Sequence, residues 1–227
     1  YADPVPRPPA QPLDLDVLVV GAGIAGVDAG ARLSMHCSGT AWAVLEARDA
    51  VGGTWDLFRY PGIRSDSDMY TLGFPFRPWR GATSIAAGEE IRAYVRETAL
   101  EYGVTERIHH GQRVERIEWS SETARWTVTA HTASGVVQHT ARLVYLATGY
   151  YAYESGHVVD FPGQEDFAGP VVHPQAWPDG IPVAGSRIVV IGSGATAITL
   201  VPSLARTAAH VTMLQRSPTY VMALPTT

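Results

Sequence analysis

Cysteine is almost missing from this chain: 227 residues contain one, Cys37. A lone thiol forms no internal disulfide, which is compatible with a reducing cytoplasm, the expected location. Long hydrophobic runs are also missing. No stretch approaches the roughly 18 apolar residues of a membrane span. The start, residues 1–12, is Pro-rich without an apolar core, so it reads as an irregular tail rather than a signal peptide. Positive charge is in short supply, with 17 Lys and Arg against 22 Asp and Glu and a net charge of −5. Phosphate binding relies on clustered cations, so a nucleic-acid partner is not expected. Nothing in the sequence specifies an oligomeric state. There is no initiating Met, so the chain is expected to start inside a longer gene product or to follow a removed tag.

Glycine turns are plentiful, and two of them share one pattern. Asp16–Val20 is a short apolar run of the kind expected for a buried parallel strand. It leads into Gly21-Ala22-Gly23-Ile24-Ala25-Gly26 and then a helix over about Ile24–Met35. Gly21 suits a tight turn, Gly23 a close approach to a pyrophosphate, and Gly26 close helix–strand packing. The helix start aims free N–H groups and a positive dipole end at phosphates. The next strand, Ala43–Glu46, ends in an acid twenty residues after Gly26, which suits a ribose diol and would repel a 2′-phosphate. The alternative is a strand–helix turn that holds no ligand.

The pattern returns at Arg187–Ile191, followed by Gly192-Ser193-Gly194-Ala195-Thr196-Ala197. Its following strand, His210–Gln215, has Gln215 where the first has Glu46, and Arg216 and Ser217 come next. An acid removed and a guanidinium added suit the 2′-phosphate of NADP over NAD. Arg216 considered alone is equally a surface residue.

Between the two turns, Gly52–Trp79 is too rich in Gly and Pro for regular structure, yet carries Trp55, Phe58, Tyr60, Tyr70, Phe74, Phe76 and Trp79. Such a segment could wrap a flat apolar ligand; the alternative is aromatic filler beneath a loop. Glu89–Tyr102 places Ile91, Tyr94, Val95, Thr98 and Tyr102 on one helical face, with Gly103 as C-cap. Arg113–Trp119, Arg125–His131 and Gly135–Thr140 predict an antiparallel meander. Leu143–Gly149 predicts a separate buried strand ending at a glycine. The pair His109-His110 lacks a third ligand at suitable spacing, so it reads as a polar surface pair and no metal site is expected.

Two stretches carry a family resemblance. Phe167-Ala-Gly-Pro-Val-Val-His173-Pro-Gln-Ala-Trp177-Pro178, between the two turns, is similar to the fingerprint of Baeyer–Villiger monooxygenases. Read without that likeness it is a linker whose Pro and Gly set turns. Gly52-Gly53-Thr54-Trp55-Asp56, continuing through Arg59-Tyr-Pro-Gly62 to Asp66, resembles the flavin-contact segment of the same enzymes. The string Trp55–Asp68 most resembles their ethionamide-activating branch in mycobacteria and other actinobacteria.

The resemblance implies an α/β flavoprotein of the two-dinucleotide-binding type. It has a Rossmann-like FAD domain with a meander insertion and the beginning of a Rossmann-like NADPH domain. The expected division is a tail over 1–12, FAD domain over 13–150, linker over 151–183 and NADPH domain over 184–227. In that family NADPH reduces FAD, O2 adds to the flavin, and the resulting peroxyflavin turns a ketone into an ester or lactone. S-oxygenation of thioethers or thioamides is a second implied activity. The resemblance also makes Gly53, Thr54, Trp55 and Asp56 flavin contacts and Val114 a backbone contact to adenine. Asp66 would lie near the flavin and help hold an active-site arginine, while His173 would matter without being a simple acid or base. The other reading of Asp66 is a turn cap, and of His173 a packed interdomain histidine.

The rivals are an N- or S-oxygenating flavin monooxygenase, disfavoured by Trp177-Pro178, and a nucleotide-binding fragment without turnover. A flavin disulfide reductase needs Cys-x-x-Cys, which a single cysteine excludes. Two strands and one helix of a second domain are too few to stand alone, so the chain is expected to be the N-terminal part of a larger enzyme, inactive by itself.

Overall fold

The computed structural model describes residues 10–157 and 159–222. Most of the Pro-rich tail and the last five residues of the second nucleotide segment lie outside the described residues. In chain order the elements are β1 (Asp14–Val20), α1 (Ile24–His36), β2 (Trp42–Glu46), α2 (Thr54–Leu57), α3 (Met69–Leu72) and α4 (Gly88–Glu101). They continue with β3 (Ile108–His110), β4 (Arg113–Ser120), β5 (Arg125–Thr132), β6 (Gly135–Leu146), β7 (Arg187–Ile191), α5 (Ala195–Leu204) and β8 (His210–Leu214). These elements fall into two compact units, 1–53 with 93–150 and 54–92 with 151–227.

The first unit is built on a six-stranded sheet in the order β3-β2-β1-β6-β5-β4. β3, β2, β1 and β6 run parallel to their neighbours, and β6, β5 and β4 form the antiparallel meander. Leu18, Val20, Leu45, Val128, Ala130, Val137 and Ala141 form its apolar core. Helix α1 turns Gly26, Val27, Gly30 and Ala31 inward. Gly30 has no room for a side chain, since a Cβ there would lie 2.7 Å from Val104 Cγ1.

Three expectations about this unit need correction. The predicted strands Gly135–Thr140 and Leu143–Gly149 are one continuous strand, β6, which pairs with β5 at its start and with β1 along its second half. A strand that serves two neighbours on different sides needs no break between them. Its second half is not buried: Leu143 and Tyr145 stand exposed on one face, which lacks cover there among the described residues, and Leu146 is exposed on the other at the strand end. His109 and His110 are not a surface pair either. They form part of β3, half-buried beside β2, and His110 Nδ1 lies 3.1 Å from the Arg48 carbonyl.

The second unit holds α2, α3, the parallel pair β7–β8 and α5. Phe58, Tyr60, Leu200 and Leu204 are its buried core, with Trp177, Val183, Ile188, Val190 and Val211 packed around them. Gly52–Trp79 therefore does contain regular structure, as two one-turn helices. Asp68 caps α3, its carboxylate accepting from Thr71 N at 2.9 Å and Thr71 Oγ1 at 2.9 Å. Those bonds hold the Asp68 carboxyl below its ordinary range, the side-chain bond contributing most. On the other face of the β-pair, Val189, Ile191 and Leu214 are exposed.

Candidate functional site

The first glycine turn is built by backbone necessity. Gly21 sits at φ +104, donates its N–H to Leu45 O at 2.8 Å, and would place a Cβ 2.5 Å from Ala147 O. Gly26 is tighter still, since a Cβ there would lie 1.8 Å from Gly21 O. Gly23 is the N-cap of α1 and makes no side-chain cap bond, and no acid occupies the first turn of the helix. The first intrahelical bond runs from Val27 N to Gly23 O. The N–H groups of Ile24, Ala25 and Gly26 therefore have no helical acceptor and point out of the helix start. Gly52 N donates to Ala22 O at 3.0 Å, and Gly53 approaches Gly23, so the Gly52-Gly53 pair lines this turn.

Glu46 ends β2 beside the turn and is 5% exposed. Its carboxylate accepts from Ala22 N at 2.7 Å and Arg48 N at 2.8 Å, one bond per oxygen. A carboxylate has about four lone-pair sites, so acceptor capacity remains for a diol. Arg48 Nη1 reaches Gly53 O at 3.3 Å and ties the loop back to the same strand end, a link missed in the sequence reading. Val114 lies near the start of β4, where the ladder to β5 shifts register between Val114 and Arg116. Gln112 N donates to Glu46 O at 2.9 Å, which holds the approach to β4 against the end of β2.

The second turn repeats these bonds. Gly192 sits at φ +123 and donates to Leu214 O at 2.8 Å. Gly194 caps α5 without a side-chain bond, and Ile198 N bonds Gly194 O at 3.1 Å. Ala195 and Thr196 thus occupy the positions of Ile24 and Ala25, with their N–H groups facing outward. The register matches too: Val20 pairs with Leu45 just before Glu46, and Ile191 pairs with Leu214 just before Gln215. Gln215 accordingly takes the place of Glu46. Arg216 and Ser217 follow in an exposed segment, and Ser193 Oγ donates to Ser217 O at 3.5 Å, which ties that segment to the glycine turn.

The remaining candidates lie in the second unit. Thr54 and Trp55 open α2, and Trp55 is half-buried. Asp56 is buried and paired with two guanidiniums, Arg59 Nη2 at 3.0 Å and Arg92 Nη1 at 3.8 Å. Asp66 is exposed, and the cap of α3 is Asp68. Gly62, at φ +82, would place a Cβ 2.5 Å from Thr199 O, so the loop after Tyr60 lies directly on α5. His173 caps the 3-10 turn Pro174–Ala176, its Nδ1 accepting from Gln175 N at 3.2 Å. Trp177 joins the unit's core. Among the described residues no cluster of His, Cys, Asp and Glu is suited to a metal ion, and no helix is long and apolar enough to cross a membrane.

Two glycine turns of this construction, each feeding an uncapped helix from a parallel strand, define a protein of the two-dinucleotide-binding class. The chain belongs to the pyridine nucleotide-disulphide oxidoreductase family, whose model matches residues 18–222. It is 52% identical over 212 residues to the FAD-containing monooxygenase EthA of Mycobacterium tuberculosis, covering 93% of this chain and 43% of EthA. It thus spans less than half the length of that relative. Among solved structures, an oxidised steroid monooxygenase bound to NADP matches with a TM-score of 0.79 and 34% identity, over 91% of this chain and 39% of the other. Cyclohexanone monooxygenase from Rhodococcus sp. Phi1 bound to NADP+ matches with a TM-score of 0.76 and 28% identity, over 92% of this chain and 39% of the other. These likenesses agree with the Baeyer–Villiger resemblance read from the sequence.

Proposed function

We propose that this chain carries the FAD-binding and NADPH-binding turns of a flavin-dependent Baeyer–Villiger monooxygenase that oxygenates a ketone to an ester or lactone. One observation carries the reading: two glycine turns of the same strand register differ at the position proposed to meet the ribose, Glu46 in one and Gln215 in the other. A buried acid suits the FAD ribose diol. An amide followed by Arg216 and Ser217 suits the phosphorylated ribose of NADPH. The likeness to EthA, steroid monooxygenase and cyclohexanone monooxygenase supports the reaction class.

The residues present fit both groups. The outward N–H groups of Ala25 and Gly26 would bind the FAD pyrophosphate, and those of Ala195 and Thr196 the NADPH pyrophosphate, each helped by its helix dipole. Gly21, Gly23, Gly192, Ser193 and Gly194 would let the phosphates approach the backbone. Gly53, Thr54, Trp55 and Asp56 would border the flavin, Val114 the adenine, and Asp66 the reacting end. When bound, FAD supplies the chemistry of accepting a hydride from NADPH and activating O2; the protein orients both and excludes water. Neutral His173 carries its proton on Nε2, because Nδ1 is engaged by Gln175 N. A small ketone, or a thioether or thioamide in S-oxygenation, is the proposed substrate, and the cytoplasm is the proposed location.

The test is a visible absorption spectrum of the purified protein, followed by a product assay on the longer enzyme to which this chain is proposed to belong, with NADPH, O2 and either a ketone or an amine. Bound oxidised flavin with ester formation is the expected result. N-oxide without ester would place the protein with the N-oxygenating monooxygenases. Absence of any bound flavin after FAD is supplied would sink the reading.

A further inference from the structure

We propose that Gly156 and Gln175 are positioning residues, which fix the His173 imidazole in one orientation and one tautomer. The functional consequence rests on the monooxygenase reading above; the geometry does not. A Cβ built on Gly156 would lie 2.0 Å from His173 Cε1, 2.1 Å from Nδ1 and 2.4 Å from Nε2. The Nδ1–Cε1–Nε2 side of the ring fills the space that any side chain at 156 would take. Gly156 is not among the positive-φ glycines, so its backbone conformation is open to other residues and only this contact demands glycine.

The strap works from the other side. Gln175 N donates to His173 Nδ1 at 3.2 Å, and the Gln175 side-chain amide donates to the Ala152 carbonyl. The first bond holds the ring within its own turn, and the second fastens that turn to 152–156, which the ring meets again at Gly156. That segment is itself anchored, since Tyr151 packs edge-on against Phe58 with ring centroids 5.0 Å apart. A line of contacts thus runs from Phe58 through 151–156 to the imidazole. With Nδ1 held as an acceptor, the proton of the neutral ring stays on Nε2, and that nitrogen is the one able to donate.

The experiment is a comparison of Gly156→Ala and Gln175→Ala with the unsubstituted protein. The His173 ring nitrogens are read by 15N NMR in the FAD-loaded protein, and kcat/KM and peroxide release are read with the same substitutions in the full-length monooxygenase of the proposed function. Gly156→Ala expels the ring from its seat, so the Nε2–H tautomer gives way to a mixture and kcat/KM falls on the order of tenfold to a hundredfold. NADPH oxidation without product should rise. Gln175→Ala, which adds no bulk and leaves the core intact, should move both readouts in the same direction by less. In a His173→Gln background, Gly156→Ala should add little, because its effect acts through the histidine. Unchanged His173 nitrogen signals in both variants would overturn the proposal. A changed tautomer with unchanged kinetics would support the positioning while removing His173 from the reaction, which separates this inference from the reading it rests on.

Discussion

Replacing Glu46 by leucine removes the acceptor of two backbone donors and the group proposed to meet the FAD ribose in one step. Leucine is near enough in size that packing around β2 changes little, so the polar loss dominates. Ala22 is fully buried, and stranding a buried donor costs about 1–3 kcal/mol. The Arg48 N–H is only part-buried and regains some water, so about 0.5–1.5 kcal/mol is reasonable there. The sum, about 1.5–4.5 kcal/mol, is a large fraction of the usual 5–15 kcal/mol of domain stability. Glu46→Gln keeps one carbonyl acceptor but turns an amide N–H toward the second donor, so its cost should be intermediate. Urea unfolding of the flavin-free protein gives the stability change, and fluorescence titration with FAD gives the binding change. Glu46→Leu should abolish saturable FAD binding under conditions where the protein is still folded, and Glu46→Gln should weaken it. A Glu46→Leu protein that loses under about 0.5 kcal/mol, within the range of an ordinary surface substitution, and binds FAD normally would refute the argument.

Three further outcomes follow from the same structure. Gly62→Ala should destabilise the second unit by about 2–5 kcal/mol, combining the left-handed backbone cost with the clash against Thr199 O; hydrogen exchange should quicken in α5, whereas Gly39→Ala, at φ +84 with open space around it, should cost only the backbone part. His139 is fully buried, accepts from Leu13 N at Nδ1 and lies 2.8 Å from Gln112 Oε1 at Nε2, so burial first and the His109 charge second lower its affinity for a proton. A base whose pKa is lowered on folding lends stability above its unfolded value near 6.5 and loses it as pH falls through the folded value; the urea midpoint should therefore drop on going from pH 7 to 5, and His139→Gln should flatten that slope. Gly194→Ala meets nothing within 4 Å and sits at φ −77, so stability should change by about 1 kcal/mol at most; NADP+ affinity measured by calorimetry should nevertheless fall tenfold or more, and unchanged affinity would remove Gly194 from the site.

The parts of this fold that could be read from sequence are those where a physical constraint marks single residues. Both glycine turns were legible because a strand run, fixed glycine spacing and a following helix coincide. α4 was legible from one apolar face, and the meander from alternation broken by Ser, Glu and Gly turns. β3 was not, because Ile108-His-His110 is too short to display a period and its strand character comes from pairing with β2. The exposed second half of β6 was misread because an apolar run says what a segment prefers, not which faces are covered. Among the aspartates at 66 and 68, the local sequence is near-symmetric, and only the helix start at Met69 selects Asp68 as the cap. Gly156 left no signal, since a contact requirement imposed by a residue seventeen positions away is invisible in a Tyr-Glu-Ser-Gly run.

The two turns also separate two reasons for being glycine. In the first, the chain itself forbids anything larger at two of the three positions: Gly26 would strike Gly21 O, and Gly21 would strike Ala147 O. In the second, Gly192 and Gly194 have nothing within 4 Å, and Ala197 stands buried where the first turn has Gly26. Packing explains Gly21 and Gly26 without any ligand, but not Gly23, where a Cβ would meet nothing nearer than 3.6 Å. At Gly194, where φ is ordinary and space is open, packing explains nothing; its N-cap position favours glycine over alanine by about 1 kcal/mol at most, and the close approach of a phosphorylated ligand is a further physical reason. The case for a nucleotide at the second turn is thus stronger at Gly194 than its looser packing would suggest. For the first turn the ligand argument rests on Gly23, placed like Gly194, and above all on Glu46, a nearly buried carboxylate with acceptor capacity to spare beside an uncapped helix start.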